Sequence, residues 1–151
     1  MIFNFYLFNL LLSLVPLIGV MLVMGTPIHW TIFLSPLAMI PLAMFSLAIG
    51  LLISTIGIYF ADVVEMYGIV LTAWMYLTPI IYPLSILPEN VERWMQFNPM
   101  VHIVELFRGL VFYGTIPPLS TWLLSYGVAL TSLIIAWLIF TGKSDEFAYR
   151  T

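Results

Sequence analysis

Glu105 and Arg108 place an acid and a base three residues apart in an otherwise apolar stretch, on a helical face that they share with His102. Two proline-marked segments precede them, Thr78-Pro79-Ile80-Ile81-Tyr82-Pro83 and Phe97-Asn98-Pro99. Ionisable groups in apolar surroundings are costly and usually face a bundle interior or a water-filled path. The candidates for a gate or pathway are therefore Pro79, Tyr82, Pro83, Asn98, Pro99, His102, Glu105 and Arg108. If Glu105 and Arg108 close a path as a pair, neutralising either should impair it, and exchanging the two should partly restore it. The competing reading is an intrahelical ion pair that only lowers the cost of burial, worth about 0.2 to 0.5 kcal/mol in an exposed helix. His102 reads as a structural or interfacial polar residue, because no ladder of carboxylates runs through the apolar segments to relay protons.

Charge is otherwise avoided. Of 151 residues, 63% are hydrophobic and 7% charged, and the mean hydropathy is +1.13, far from the roughly one-quarter charge of soluble domains. No Asp, Glu, Lys or Arg occurs from Met1 through Ala61, so that segment has no residues from which to make a soluble surface. The net charge of -3 contains no basic run, which argues against a nucleic-acid partner. Cysteine is absent, so no disulfide framework or thiol chemistry is available. Two histidines without cysteine make a poor metal set.

The elements that must position the candidates read as helices in a bilayer. Apolar runs of about 18 residues or more mark spanning helices, and four occur, at about 2–24, 33–58, 63–82 and 119–141. The first lacks the basic start and small-residue cleavage site of a signal peptide. The second carries Pro36 and Pro41 near its beginning, which predicts a bent or interfacial entry. Ser46, Gly50 and Ser54 recur every four residues along it, a spacing that admits a second helix, either within the chain or from another subunit. Asp62 and Glu65 mark the polar turn before the third run.

Between the third and fourth runs lies a non-spanning helix pair at about 86–113. Pro88 and Glu89 suit a helix start. Asn98 is an N-cap, Pro99 fits the first helical position, and Gly114 can close the far end. The roughly 15 residues between make about 22 Å of helix, too short to cross alone. Ile103, Leu106, Phe107 and Leu110 fill its apolar face. The fold class is thus all-α integral membrane, with four transmembrane helices and a short re-entrant or interfacial helix pair before the last. Lys143 and Arg150 at one end balance Arg93 and Arg108 at the other, so charge bias does not orient the chain. No grouping of Ser, His and Asp suggests catalysis. Gly142-Lys143-Ser144 ends like a phosphate loop, but that motif requires glycine at 137, which is Trp137.

In their order, Gly50-Leu51-Leu52, Tyr59-Phe60-Ala61-Asp62-Val63, the Thr78–Pro83 segment, Asn98-Pro99, Glu105 and Arg108 resemble ABC-2 type permeases. The likeness is greatest to those that export polysaccharide or polyol phosphate, the O-antigen, capsule and teichoic acid exporters, and it covers nearly the whole chain. Two departures stand out. The family's usual amphipathic helix and first two spans precede the matching region, so 1–151 reads as a C-terminal portion of the transmembrane domain. Ala61 also stands where the family has Arg. The resemblance implies a bacterial cytoplasmic-membrane, multi-pass subunit that pairs as a homodimer. It implies a separate ABC ATPase that binds the ATP, no cofactor in this chain, and a lipid-linked glycan as cargo. Met1, the Asp62 turn and Thr151 would be cytoplasmic and the 86–113 helices outermost. Tyr67, Trp74 and Tyr76 would then be aromatics able to stack on a passing sugar, against the commoner role of helix packing. ATPase motion enters that family largely ahead of the matching region, so this chain alone should bind an ATPase poorly, with the Asp62 to Glu65 turn as a secondary contact. The alternatives are an ABC-2 exporter of drugs or small lipids, and a truncated, non-transporting remnant.

Overall fold

The computed structural model describes residues 8–9, 12–25, 27–60, 62–80, 82 and 86–147, and every regular element among them is helical. In chain order these are α1 (Leu14–Val23), a short 3-10 helix (Trp30–Leu34), α2 (Ser35–Gly57), α3 (Val63–Leu77), α4 (Glu89–Met95), α5 (Pro99–Val111) and α6 (Leu119–Phe147). Pro83 and the first residues of the first apolar run lie outside the described residues.

Two of the four apolar runs form helices long and apolar enough to cross a membrane, Trp30–Gly57 with 28 residues and Leu119–Lys143 with 25. Of the other two, the first is described only in part, and the third is shorter than its hydropathy predicts. α1 has 10 residues. α3 has 15 and stops at Leu77, not at 82. Pro79 is the cause, since its ring disfavours the helical region for the residue before it. Thr78 accordingly sits at φ -105 and ψ 129, an extended conformation. Fifteen residues make about 22 Å, short of a hydrocarbon core of about 30 Å.

α2 and α6 run parallel, side by side. Near their beginnings the Tyr126 hydroxyl donates to Leu37 O at 2.7 Å, and near their ends Lys143 Nζ stands 4.6 Å from the centre of the Tyr59 ring. The expected bent entry to α2 is the 3-10 helix, fixed by the buried Thr31 hydroxyl donating to Leu110 O at 2.6 Å. Ser46, Gly50 and Ser54 point away from this packing. The buried face of α2 is Ala38, Met39, Pro41, Phe45, Ala48 and Thr55 instead.

The short α5 is the element on which the others converge. Its Val111 packs with Met21 of α1 and Ile32, its Leu106 and Leu110 with Ala38, and its Ile103 with Phe45 and Ala129. α5 therefore runs antiparallel to α2, from the middle of the Trp30–Gly57 helix to its start. The alternation read from sequence holds, with Ile103, Leu106 and Leu110 buried and His102, Glu105 and Arg108 on a more accessible face. The helix ends at Val111, and Gly114 follows at φ 63, a conformation that favours glycine. A Cβ at Gly114 would collide with the His29 ring, and one at Gly109 would lie 2.7 Å from Pro117 Cγ. Both glycines let the chain leaving α5 fold tightly back toward α6.

Candidate functional site

Where α3 breaks, backbone carbonyls lose their helical donors, and each buried one left unpaired would cost about 1 to 3 kcal/mol. Side chains of α5 and of the break itself supply the missing donors. Asn98 Nδ2 donates to Leu77 O at 3.2 Å and to Thr78 Oγ1 at 3.1 Å. Thr78 Oγ1 in turn donates to Trp74 O at 2.9 Å. The Asn98 Oδ1 accepts from Trp74 Nε1 at 3.0 Å and from the Met100 backbone N–H at 3.1 Å. An Asn side chain offers two donors and two acceptor lone pairs, and all four are used. One amide thus caps the start of α5 and holds the end of α3. Tyr82, beyond the break, adds a further donor, its hydroxyl bonding to Tyr76 O at 2.8 Å.

Arg108 completes the set. Its Nη2 donates to Pro79 O at 2.7 Å and Ile80 O at 3.1 Å. The ion pair anticipated between Glu105 and Arg108 does not form, because the guanidinium reaches across to the broken end of α3 instead of back along its own helix. Glu105 is half-buried, and burial pushes its carboxyl above the usual carboxylate range, against the weaker opposing pull of His102 and then Arg108, with Glu92 adding to the rise. The His102 Nε2 donates to Gln96 O at 2.9 Å, joining α5 to the end of α4.

The structure thus brings Pro79, Tyr82, Asn98, Pro99, Trp74 and Arg108 to one place. Pro99 occupies the first turn of α5, and Pro79 is fully buried. Trp74 is engaged twice, by the Asn98 side chain and by a T-shaped contact with Phe45 at 6.0 Å between centroids. Tyr67 is half-buried on α3 and Tyr76 exposed. Asp62 and Glu65 lie at the opposite end of α3, near the Tyr59–Lys143 contact. Thr78, only 2% exposed, belongs to the site although its sequence signal is no more than a hydroxyl before proline. Thr31 gives no such signal, because its partner Leu110 is 79 residues away.

The family profile described as ABC-2 type transporter matches residues 1–112. The chain belongs to the ABC-2 type transporter family. Among curated proteins, it is 26% identical over 142 residues to the O-antigen export system permease protein RfbA of Myxococcus xanthus, covering 93% of this chain and 55% of that one. It is 31% identical over 98 residues to the polysialic acid transport protein KpsM of Escherichia coli, covering 65% of this chain and 35% of the relative. A similar permease protein RfbA of Klebsiella pneumoniae is 28% identical over 81 residues, 54% of this chain and 31% of that one. The chain thus spans about half the length of its Myxococcus relative and a third of the other two. The matched region of the family includes the whole Asn98–Arg108 clamp.

Two outcomes follow from the clamp. Asn98→Ala removes a helix cap, worth about 1 kcal/mol, and strips partners from Leu77 O and Trp74 Nε1, so thermal unfolding in detergent should fall by several degrees. Asn98→Asp keeps the cap but turns an oxygen toward Leu77 O, and should not restore stability; an Asp variant as stable as the parent would refute the saturated amide. For Glu105, a folded-state pKa above the unfolded one means that the folded protein binds more protons, so this contribution to stability is present at low pH and lost as pH rises through the raised value. Glu105→Gln should flatten that part of a stability-against-pH profile measured by circular dichroism. An unchanged profile would contradict the assignment.

Proposed function

We propose that this chain is part of the membrane-embedded permease subunit of a bacterial ABC exporter, moving a lipid-linked polysaccharide outward across the cytoplasmic membrane. The observation that carries the reading is the similarity across 93% of the chain to a protein named as an O-antigen export permease. In this reading ATP is bound and hydrolysed by a separate ATPase subunit, and this chain uses no cofactor of its own. A second permease copy completes the pathway, and the exposed Ser46, Gly50 and Ser54 stripe on α2 is suited to close approach of another helix.

Four crossings are proposed, α1 and α3 completing theirs with the residues that flank them, and the α4–α5 pair re-entering from the outer face. The support is the level of α5: Met100 and Ile103 pack with Phe45, near the middle of the Trp30–Gly57 helix. Non-spanning backbone at that depth is tolerated only where protein covers it, and α1, α2, α3 and α6 surround α5 on its buried face. The Tyr59–Lys143 end is then cytoplasmic, and the Gly114 end outermost. Pro79, Tyr82, Asn98 and Arg108 hold the re-entrant pair against the broken span, so that any movement opening an outer path has to carry or release this clamp. Glu105 and His102 face away from it, toward α4.

In an export-competent assembly containing this chain and its ATPase, Arg108→Gln should impair export while leaving membrane insertion intact. Loss of one charged donor, about 1.5 to 3 kcal/mol, corresponds to roughly ten- to hundredfold in rate if the clamp acts in the limiting step. Exchanging Glu105 and Arg108 should give no recovery, since the exchanged arginine can no longer reach Pro79 and Ile80. Normal export of surface glycan by both Arg108→Gln and Asn98→Ala would sink the role given to the clamp, and export without an ATPase would sink the reading as a whole.

A further inference from the structure

Beside the clamp, α1, α2 and α5 enclose a cleft of about 760 Å³, within the roughly 300 to 1,000 Å³ of ordinary ligand sites. Its walls include Leu17 of α1, Ala38 and Leu42 of α2, and Val104 and Phe107 of α5, all apolar. Arg108 is the one charged side chain among the described residues that line it.

Among the described residues, no carboxylate forms an ion pair with that cation. The guanidinium spends Nη2 on the Pro79 and Ile80 carbonyls, while its Nε and Nη1 donors make no hydrogen bond among the described residues. Carbonyl dipoles soften the cost of burying a charge but do not neutralise it. No Asp or Glu lines the cleft among the described residues. Glu105, the nearest acid in sequence, does not line the cleft.

An apolar slot with one unneutralised guanidinium at its polar end matches an amphiphile with a single phosphate. Guanidinium presents a planar fork that pairs with phosphate oxygens in bidentate fashion, and the slot offers an alkyl chain burial against mainly apolar walls, in which Ser13, Tyr82 and Tyr113 carry the hydroxyls. We propose that this cleft binds an anionic glycerophospholipid of the surrounding bilayer, its acyl chain between α1 and α5 and its phosphate on the unused Nε and Nη1 edge of Arg108. Bound there, the lipid seals the seam between α1 and the re-entrant pair and neutralises the clamp. The site depends on the membrane setting alone and stands whether or not the exported molecule is a glycan.

The test is native mass spectrometry of the purified chain in mild detergent, titrated with phosphatidylglycerol, phosphatidylcholine of matched acyl chains, a polyprenyl phosphate and inorganic phosphate. Phosphatidylglycerol should bind about tenfold more tightly than phosphatidylcholine, as expected for one charge-assisted contact. Arg108→Gln should abolish that preference and Arg108→Lys retain most of it. Val104→Trp, which fills the cleft and leaves the charge, should prevent binding, while Arg93→Gln on the exposed face of α4 should change nothing. Should Arg108→Gln lose its helical circular dichroism, the Lys and Trp variants decide the matter. Equal binding of the two phospholipids, or a preference that survives Val104→Trp, would overturn the site. Displacement by polyprenyl phosphate at equal concentration would overturn the bilayer lipid as its occupant, and displacement by inorganic phosphate at similar concentration would overturn the acyl-chain slot.

Discussion

The carbonyls of Leu77, Pro79 and Ile80 lie at or beyond the end of α3, where helical donors run out, and in an apolar protein they have to find others. Much of the described structure follows from that need. Pro79 forces Thr78 out of the helix, which stops α3 and opens its end. Asn98 and Arg108 answer from opposite ends of α5, about 10 residues or three turns apart. Because both donors ride on one short helix, satisfying the broken span also fixes where α5 lies. Its apolar face is thereby set against Ala38, Phe45 and Ala129, between the two long parallel helices.

The same constraint explains why the chain tolerates an arginine in this setting. A guanidinium cannot shed its proton, so its presence in apolar surroundings needs oxygens to receive it. Two backbone carbonyls do so at 2.7 and 3.1 Å. Glu105 follows the opposite course. Burial raises its carboxyl pKa, which brings the neutral form within easier reach. Acid and base on one helical face thus meet their costs separately, the one by a shifted protonation equilibrium and the other by distant backbone partners.

Periodicity and punctuation made part of this legible in the sequence. The alternation of α5, its start at Asn98-Pro99, the role of Gly114 after its end and the irregular entry to α2 all rest on local rules that act within a few residues. The early end of α3 was also written there, in the Thr78-Pro79 pair, but hydropathy overrode it because the apolar run continues through Pro83. What could not be read was pairing across the chain. Spacing of three residues placed Glu105 and Arg108 side by side, yet Arg108 finds its partners 28 and 29 residues away. Asn98 shows the complementary case, its cap to Met100 being local and its other three bonds reaching 20 to 24 residues back. Likewise Trp74, whose aromatic face suggested a surface for a sugar, gives its indole N–H to Asn98, 24 residues away, and meets the Phe45 ring in a T-shaped contact.

Arg108 serves the carbonyls of the α3 break and not Glu105. Infrared spectroscopy of protein carrying carbon-13 at the Pro79 and Ile80 carbonyls reads those bonds directly, since a carbonyl that accepts from a guanidinium absorbs at lower frequency than a free one. Arg108→Gln should move the labelled band to higher frequency, and Glu105→Gln should leave it in place. A band indifferent to Arg108→Gln, or one that follows Glu105→Gln equally, would contradict it.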